Sequence, residues 1–332
     1  MHSSYIRQLD GLRFIAVLMV VLAHWVQPIM DSTALKQVPL AFGVKLFFVL
    51  SGYLITDILL KQRERLAMGN ISIKQVLARF YARRSLRIFP LYYAAVAVAV
   101  ISGLQYSEEL LPWLLTYSTN IYMGIHETYL GEYTHFWSLA VEEQFYLVWP
   151  WFILLLPSAW LKYFIPASIV LSLGFRTYAL YEINYFTMAY STPAALSMLA
   201  IGGYLAWLRL NAPKVFGWLG KGVKWIVLLS VFIVLHYISY YAGWYWYFNI
   251  GSGTLFSFGC AMLIAACSGD KLGGQAGRLL KSDLAVHLGK LSYGIYVLHL
   301  FIPVLWLWIC DTLGFDRPGS WINIPVNFIL TY

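Results

Sequence analysis

The chain has 332 residues, of which 60% are hydrophobic and only 11% are charged, whereas soluble globular domains carry roughly 25% charged residues. This composition excludes a soluble enzyme and a disordered chain. Twenty-three Lys and Arg residues outweigh fifteen Asp and Glu residues and give a formal net charge of +8. Such an excess is typical of nucleic-acid binding, of anionic lipid binding or of cytoplasmic membrane loops, and its placement along the chain decides between them.

Apolar runs of about 20 residues recur from Leu12 to the end of the chain, and a helix of that length crosses a membrane. The pattern predicts an all-α polytopic membrane protein with a single membrane domain over residues 1–332. The first run lacks a small-residue cleavage site and is predicted to remain as a helix. We predict ten spans, at about residues 12–30, 40–60, 86–105, 139–156, 161–179, 192–209, 224–242, 250–267, 291–310 and from 321 onwards. Only twelve residues remain from Trp321, so we expect the last helix to be incomplete.

The positive charge is distributed unevenly between the two ends of the predicted spans. If the amino terminus is cytoplasmic, all but four of the twenty-three Lys and Arg residues fall on the cytoplasmic side, the exceptions being Lys36, Lys45, Arg176 and Arg317. Because Lys and Arg are retained in short cytoplasmic loops, we predict this orientation. It explains the basic charge through contacts with membrane lipids and without nucleic acid. The longest outward loop, 106–138, is a candidate lid or entry loop.

His24 is the first candidate for chemistry, because ionisable side chains within spans are costly. An imidazole exchanges protons near neutral pH. Arg13 precedes His24 by eleven residues, or three helical turns plus 20°, so both project from one face roughly 16 Å apart. The alternative is that His24 is a hydrogen-bonded core histidine and Arg13 an anchor at the membrane surface.

A second cluster, Tyr81 to Pro90, lies at the cytoplasmic end of the third predicted span. Arg83 and Arg84 are four and three residues before Arg87 and would converge on one side of a helix. Guanidinium groups suit phosphate, so a phosphorylated ligand could bind there. The alternative is that these arginines only set the orientation of the span.

A third cluster, His135 to Tyr146, leads into the fourth predicted span. Glu142 and Glu143 lie one turn inside an apolar helix, and Ser138 and His135 share the face of Glu142 if the helix begins early. A glutamate there could orient a histidine from another helix. The alternative is a buried hydrogen-bonded network that holds helices together.

Other signals are weaker. Arg176 must find a carboxylate or face water, and His299, in the segment Ser292 to His299, is interpreted as structural. The small residues in Phe48–Tyr53 favour close helix packing. No metal site is predicted, because the three cysteines have no close spacing to each other or to His.

Taken in order, these motifs resemble the acyltransferase 3 family of integral-membrane enzymes, which move acyl groups onto extracytoplasmic carbohydrates. The similarity runs from about Tyr5 into the last span. The family pattern has an acidic residue where Lys45 stands. The matching segments are Leu9–Arg13 followed by His24, Val44–Leu54, Arg84–Arg87, Phe136–Tyr146 and Ser292–His299.

The resemblance implies acyl-CoA, by family habit acetyl-CoA, as a cytoplasmic donor. It also implies an acceptor hydroxyl on an extracytoplasmic carbohydrate, such as a surface polysaccharide, and a multi-pass location in the cell inner membrane. Carried over residue by residue, it implies that His24 is catalytic and that Arg13, Arg84 and Arg87 bind the donor.

We further predict that His24 deprotonates the acceptor hydroxyl, with Glu142 or Glu143 holding the imidazole. His135, Ser138 and Arg176 are the predicted substrate-binding residues.

Two alternatives stay open on the sequence. The mechanistic one is a two-step route through an acyl-imidazole. The functional one is a proton-coupled transporter or flippase of a glycan or small solute, which should show broken helices in two related halves. No such duplication is visible. A sensory module without turnover is a further possibility.

Overall fold

The computed structural model describes residues 5–29, 38–104, 107–269 and 272–314, and a few residues between 324 and 331. All regular structure in these segments is helical. Shorter helical pieces join the α-helices: Gln27–Ile29, Leu40–Phe42 and Gly131–Tyr133 are 3-10 turns, and Ala179–Ile183 and Tyr247–Gly251 are π turns. The α-helices are α1 (Arg7–Trp25), α2 (Gly43–Ala67), α3 (Ile73–Ile101), α4 (Ser107–Leu115), α5 (Thr119–His126), α6 (Phe136–Leu155), α7 (Ser158–Tyr178), α8 (Tyr185–Tyr190), α9 (Thr192–Asn211), α10 (Pro213–Leu219), α11 (Lys224–Tyr241), α12 (Ser252–Ser268), α13 (Gly274–Lys281), α14 (Asp283–Leu298) and α15 (Phe301–Leu313).

The predicted fold class is confirmed, but the predicted count of ten spans is not. Within the described segments seven helical stretches are long and apolar enough to cross a membrane, and the bent pair α14 and α15 would make an eighth. The span predicted at 139–156 exists as the 20-residue helix α6, which is not one of the seven. The span predicted from residue 321 lies largely outside the described residues.

Helices α2 and α9 pack with their backbones in close approach. A Cβ atom added at Gly52 would lie 1.9 Å from the carbonyl oxygen of Leu199, and one added at Gly202 would lie 2.0 Å from that of Val49. Only glycine fits at either position, as is common where helices pack in membranes. This confirms the close packing predicted for the Phe48–Tyr53 segment.

Helices α1 and α14 pack in the same manner. A Cβ atom added at Gly289 of α14 would lie 1.9 Å from the carbonyl oxygen of Asp10 in α1. Because this contact joins the first turn of α1 to the second turn of α14, it also sets which residues of α14 face His24 further along α1.

The span predicted at 291–310 is broken in the structure, because the chain bends by 64° between α14 and α15. Pro303 lies in the first turn of α15 and has no N–H to donate to the carbonyl of His299, four residues earlier. That carbonyl instead accepts a hydrogen bond from Trp25 Nε1 at 2.9 Å. The bend therefore holds His299 beside Trp25 at the end of α1. Trp25 is the residue that follows His24.

Candidate active site

A basic cavity lies between the carboxyl-terminal half of α2 and the first half of α3. It has a volume of about 290 Å³, and no Asp or Glu among the described residues lines it. Such a concentration of guanidinium groups is suited to a ligand with several phosphates. The arginines that line it are Arg65, Arg79, Arg83, Arg84 and Arg87.

A narrower cavity of about 90 Å³ shares Arg84 and Arg87 with the basic cavity and adds Arg13. The structure therefore brings together the three arginines predicted to bind the donor. Asp10 holds Arg13 through an ion pair of 2.5 Å, and the Arg84 guanidinium lies 5.2 Å from the centre of the Tyr146 ring. The two adjoining cavities are called the donor path below.

Hydroxyl groups and one carboxylate line the inner part of the donor path. Ser51 Oγ donates to Glu142 Oε1 at 2.6 Å, and the Tyr146 hydroxyl donates to Ser51 Oγ at 3.2 Å. Further in, Ser138 Oγ and the Tyr296 hydroxyl are 2.5 Å apart. Ser138 and Glu142 thus share this cavity, as their spacing predicted, whereas the sequence did not indicate Ser51 or Tyr296.

His24 and His299 are in direct contact. His24 Nδ1 lies 2.9 Å from the carbonyl oxygen of Val20 and 3.2 Å from His299 Nε2. His299 Nδ1 lies 2.7 Å from the carbonyl oxygen of Tyr296. Because a carbonyl oxygen only accepts, each Nδ1 carries the hydrogen, and His299 Nε2 accepts from His24. The unprotonated nitrogen of His24 is therefore Nε2.

His135 completes a group of three histidines. Its Nε2 donates to the carbonyl oxygen of Val297 at 3.0 Å, and its ring centre lies 4.8 Å from that of His299. His135 is buried and packs behind His299, away from the cavities described here, which differs from its predicted contact with substrate. No cluster of His, Cys, Asp or Glu with the arrangement of a metal site occurs in the described parts of the chain.

His24 is exposed to a cavity of about 430 Å³ at the far end of α1. Gly131 and Glu132, from the long loop predicted as a lid or entry, line the same cavity, together with Leu300 and Pro303 at the bend. The predicted loop thus contributes to the surroundings of the histidine, and Glu132 is a carboxylate that the sequence did not single out.

The predicted support of His24 by a glutamate is not found. Glu142 accepts from Ser51 in the donor path, Glu143 Oε1 has no hydrogen-bond partner, and neither carboxylate hydrogen-bonds to His24. The spacing on α6 correctly put Glu142 on an inward face, but that face meets the donor path. His299, interpreted from sequence as structural, is the side chain that contacts His24 instead. The sequence signal for its position was Pro303, which weakens the helix near His299.

Arg176 lies apart from both His24 and the donor arginines. It is buried, its Nη2 donates to the carbonyl oxygen of Asn249 at 2.9 Å, and no described carboxylate pairs with it. It lines a third cavity, which contains Lys45. Of the two expected outcomes for Arg176, a carboxylate partner is not found among the described residues, and its predicted role in substrate binding stays a prediction.

The comparison with protein families identifies the domain. A family model described as an acyltransferase domain, Acyl_transf_3, matches residues 6–332. The chain belongs to the acyltransferase 3 family. The long apolar helices of the described residues match a family of membrane-embedded proteins.

Curated relatives of this chain carry related names. The peptidoglycan O-acetyltransferase OatA of Listeria monocytogenes is 36% identical over 173 residues, which cover 48% of this chain and 26% of the relative. YrhL of Bacillus subtilis, named "Putative peptidoglycan O-acetyltransferase", is 30% identical over 328 residues, covering 92% and 49%. A "Putative O-acetyltransferase" of Staphylococcus aureus is 25% identical over 327 residues, covering 90% and 50%. The chain spans about half the length of these last two relatives. No solved structure matches it.

Proposed function

We propose that the protein transfers an acetyl group from acetyl-CoA, bound along the donor path, to a hydroxyl group of an extracytoplasmic carbohydrate, with His24 as the general base. The observation that carries the proposal is the pair of hydrogen-bond contacts made by His24 Nδ1. Its Nδ1 is committed to Val20 and His299, so Nε2 is free to accept a proton within a cavity large enough for a sugar.

The donor end of the proposal rests on charge and shape. The nucleotide and phosphates of CoA fit the arginine-lined basic cavity, and the thin pantetheine arm fits the narrower continuation that begins at Arg84 and Arg87. Arg13, held by Asp10, adds a cation on the same route. In the predicted orientation these arginines face the cytoplasm, where CoA is found.

In the proposed reaction, His24 Nε2 takes the proton of the acceptor hydroxyl while the hydroxyl oxygen attacks the thioester carbonyl carbon. The tetrahedral intermediate then collapses, the carbon–sulfur bond breaks, and the CoA thiolate takes the proton from the imidazolium. The products are an acetyl ester and CoA. The Val20 carbonyl and His299 Nε2 both accept from Nδ1–H, so they stabilise the positive charge that forms on His24.

The acetyl group must pass a thin partition to reach His24. Tyr296 lines the donor path, its ring centre is 5.5 Å from that of His299, and His299 touches His24. Two side chains, Tyr296 and then His299, thus lie between the donor path and His24. We propose that Tyr296 moves aside when the acceptor binds, which keeps water from the thioester until then.

Replacement of His24 tests the proposal. His24→Gln in purified protein reconstituted in liposomes should lower acetyl transfer by about 10²–10⁴-fold, the range for loss of a general base. Binding of CoA should persist, because His24 does not line the donor path. His287→Gln, an exposed histidine on α14, is the control for histidine removal. Transfer at the wild-type rate by correctly inserted His24→Gln protein would exclude the proposed role.

A comparison of acceptors tests the substrate class. Purified protein is incubated with labelled acetyl-CoA and with either a soluble glycan or a glycerol control, and acetyl ester and free CoA are both measured. The proposal expects ester on the glycan with an equal amount of CoA. A membrane transporter would instead move solute across the liposome without releasing CoA.

A further inference from the structure

A cavity with an unusual excess of positive charge lies at the end of the helices opposite the donor arginines. Lys45 stands in the first turn of α2 and Arg176 in the last turn of α7, and His236 lies in the second half of α11. All three line one cavity of about 330 Å³. No Asp or Glu in the described part of the chain lines it. It is called the cationic cavity below.

The cations of this cavity lack counterions. Arg176 is only 3% exposed, and its Nε and Nη1 have no hydrogen-bond partner. Lys45 Nζ lies 3.2 Å from the centre of the Phe42 ring, and neither cation pairs with a carboxylate of the described residues. A buried and a half-buried cation that line one cavity are costly unless an anion joins them. Arg176 thus lines the cavity with two N–H-bearing nitrogens that have no hydrogen-bond partner.

The remaining walls are those of a small-molecule site. Trp137, Tyr185, Tyr190 and Phe248 supply aromatic surface, and apolar walls with a few polar anchors are typical of cavities of roughly 300–1,000 Å³ that bind small ligands. His236 adds a buried ring nitrogen, Nδ1, that has no partner.

The cationic cavity adjoins both ends of the proposed reaction. Val44 and Phe48 line it and also line the donor path. Gln27 lines it, while Pro28 and Ile29 of the same 3-10 turn line the cavity of His24. A molecule anchored here would therefore lie next to the histidine and to the donor.

We propose that the cationic cavity binds the carboxylate of an acidic sugar residue, so that the acceptor is an anionic carbohydrate anchored by Arg176 and Lys45. Naming the ligand as a carbohydrate rests on the proposed function. The inference that the ligand is negatively charged rests only on Arg176 and Lys45, which pair with no carboxylate of the described residues.

Binding of matched small sugars to the purified protein, in detergent and without donor, tests this inference. Methyl glucuronide carries the carboxylate, methyl glucoside is its neutral counterpart, and glucose 6-phosphate carries a phosphate. We expect titration calorimetry to show methyl glucuronide binding at least tenfold more tightly than methyl glucoside. Equal binding of these two sugars, or binding of neither, overturns the proposal. Stronger binding of glucose 6-phosphate overturns the carboxylate assignment in favour of a phosphorylated sugar.

Substitution of the two cations tests whether methyl glucuronide binds in the cationic cavity. Arg176→Gln and Lys45→Gln should each weaken methyl glucuronide binding by about 10- to 100-fold, as expected for loss of a charged hydrogen bond. Lys162→Gln removes a lysine at the other end of α7 and should change nothing. If Arg176→Gln fails to fold, Lys45→Gln alone decides, and an unchanged affinity in that variant refutes the site.

The two proposals can fail separately. Sugar binding is measured without acetyl-CoA, so a protein that releases no CoA can still show the preference for the carboxylate. Conversely, acetyl transfer to neutral and acidic acceptors at equal efficiency would keep the acyltransferase proposal and remove the cationic cavity from acceptor recognition.

Discussion

His299→Leu offers a direct measure of how the His24 imidazole is supported. The substitution removes the Nε2 acceptor that lies 3.2 Å from His24 Nδ1 while the Val20 carbonyl, at 2.9 Å, remains. The shared hydrogen bond matters most in the transition state, when His24 is charged. A hydrogen bond to a charged group contributes about 1.5–3 kcal/mol.

Because the contact is long and shared, we expect a loss near the lower end of that range, or about a 10- to 30-fold decrease in kcat. The Michaelis constants for donor and acceptor should stay within about twofold, since His299 lines neither the donor path nor the cavity of His24. Complete loss is not expected, because Val20 still fixes the Nδ1–H tautomer.

Labelled acetyl-CoA and reconstituted protein give kcat and both Michaelis constants. His299→Gln is the informative companion, because its amide can donate one hydrogen bond and accept another, as His299 does. It should recover most of the rate that His299→Leu loses, which a merely structural role would not explain. A normal kcat in correctly folded His299→Leu protein would refute this account of the support of His24.

Three further predictions follow from packing and charge. Arg84→Gln and Arg87→Gln should each raise the Michaelis constant for acetyl-CoA by about tenfold, through loss of one charged hydrogen bond; an unchanged affinity for CoA would contradict the donor path. Gly202→Ala should destabilise the protein by about 1–3 kcal/mol in thermal unfolding, because its Cβ would meet the backbone of α2. Gly174→Ala, where nothing lies within 4 Å, should be neutral or stabilising, and equal effects of the two would refute the packing argument. Tyr296→Ala should open the partition and speed hydrolysis of acetyl-CoA without acceptor, measured as release of CoA; no change in that leak would place the barrier elsewhere.

The sequence by itself determined the class of the fold and predicted the three arginines, Arg13, Arg84 and Arg87, that line the donor path. Apolar runs predict membrane spans because a helix that crosses the hydrocarbon core needs about 20 apolar residues. Arg84 and Arg87 converge because residues three apart on a helix are neighbours. The order of motifs also identified the family that the domain comparison shows.

Only the tertiary structure decided which side chains from different helices meet. Periodicity put Glu142 on an inward face, but it cannot tell whether that face meets His24 or Ser51, since this depends on how α1, α2 and α6 pack. The same holds for Lys45 and Arg176, which lie 131 positions apart in the chain and share a cavity.

The position of His299 was decided partly by the sequence and partly by the tertiary structure. Pro303 was visible in the sequence and weakens the helix around the preceding turn. The direction of the resulting bend follows instead from Trp25, whose indole N–H binds the carbonyl that Pro303 leaves without a donor. A local rule thus fixed where the helix breaks, and a long-range contact fixed which histidine supports His24.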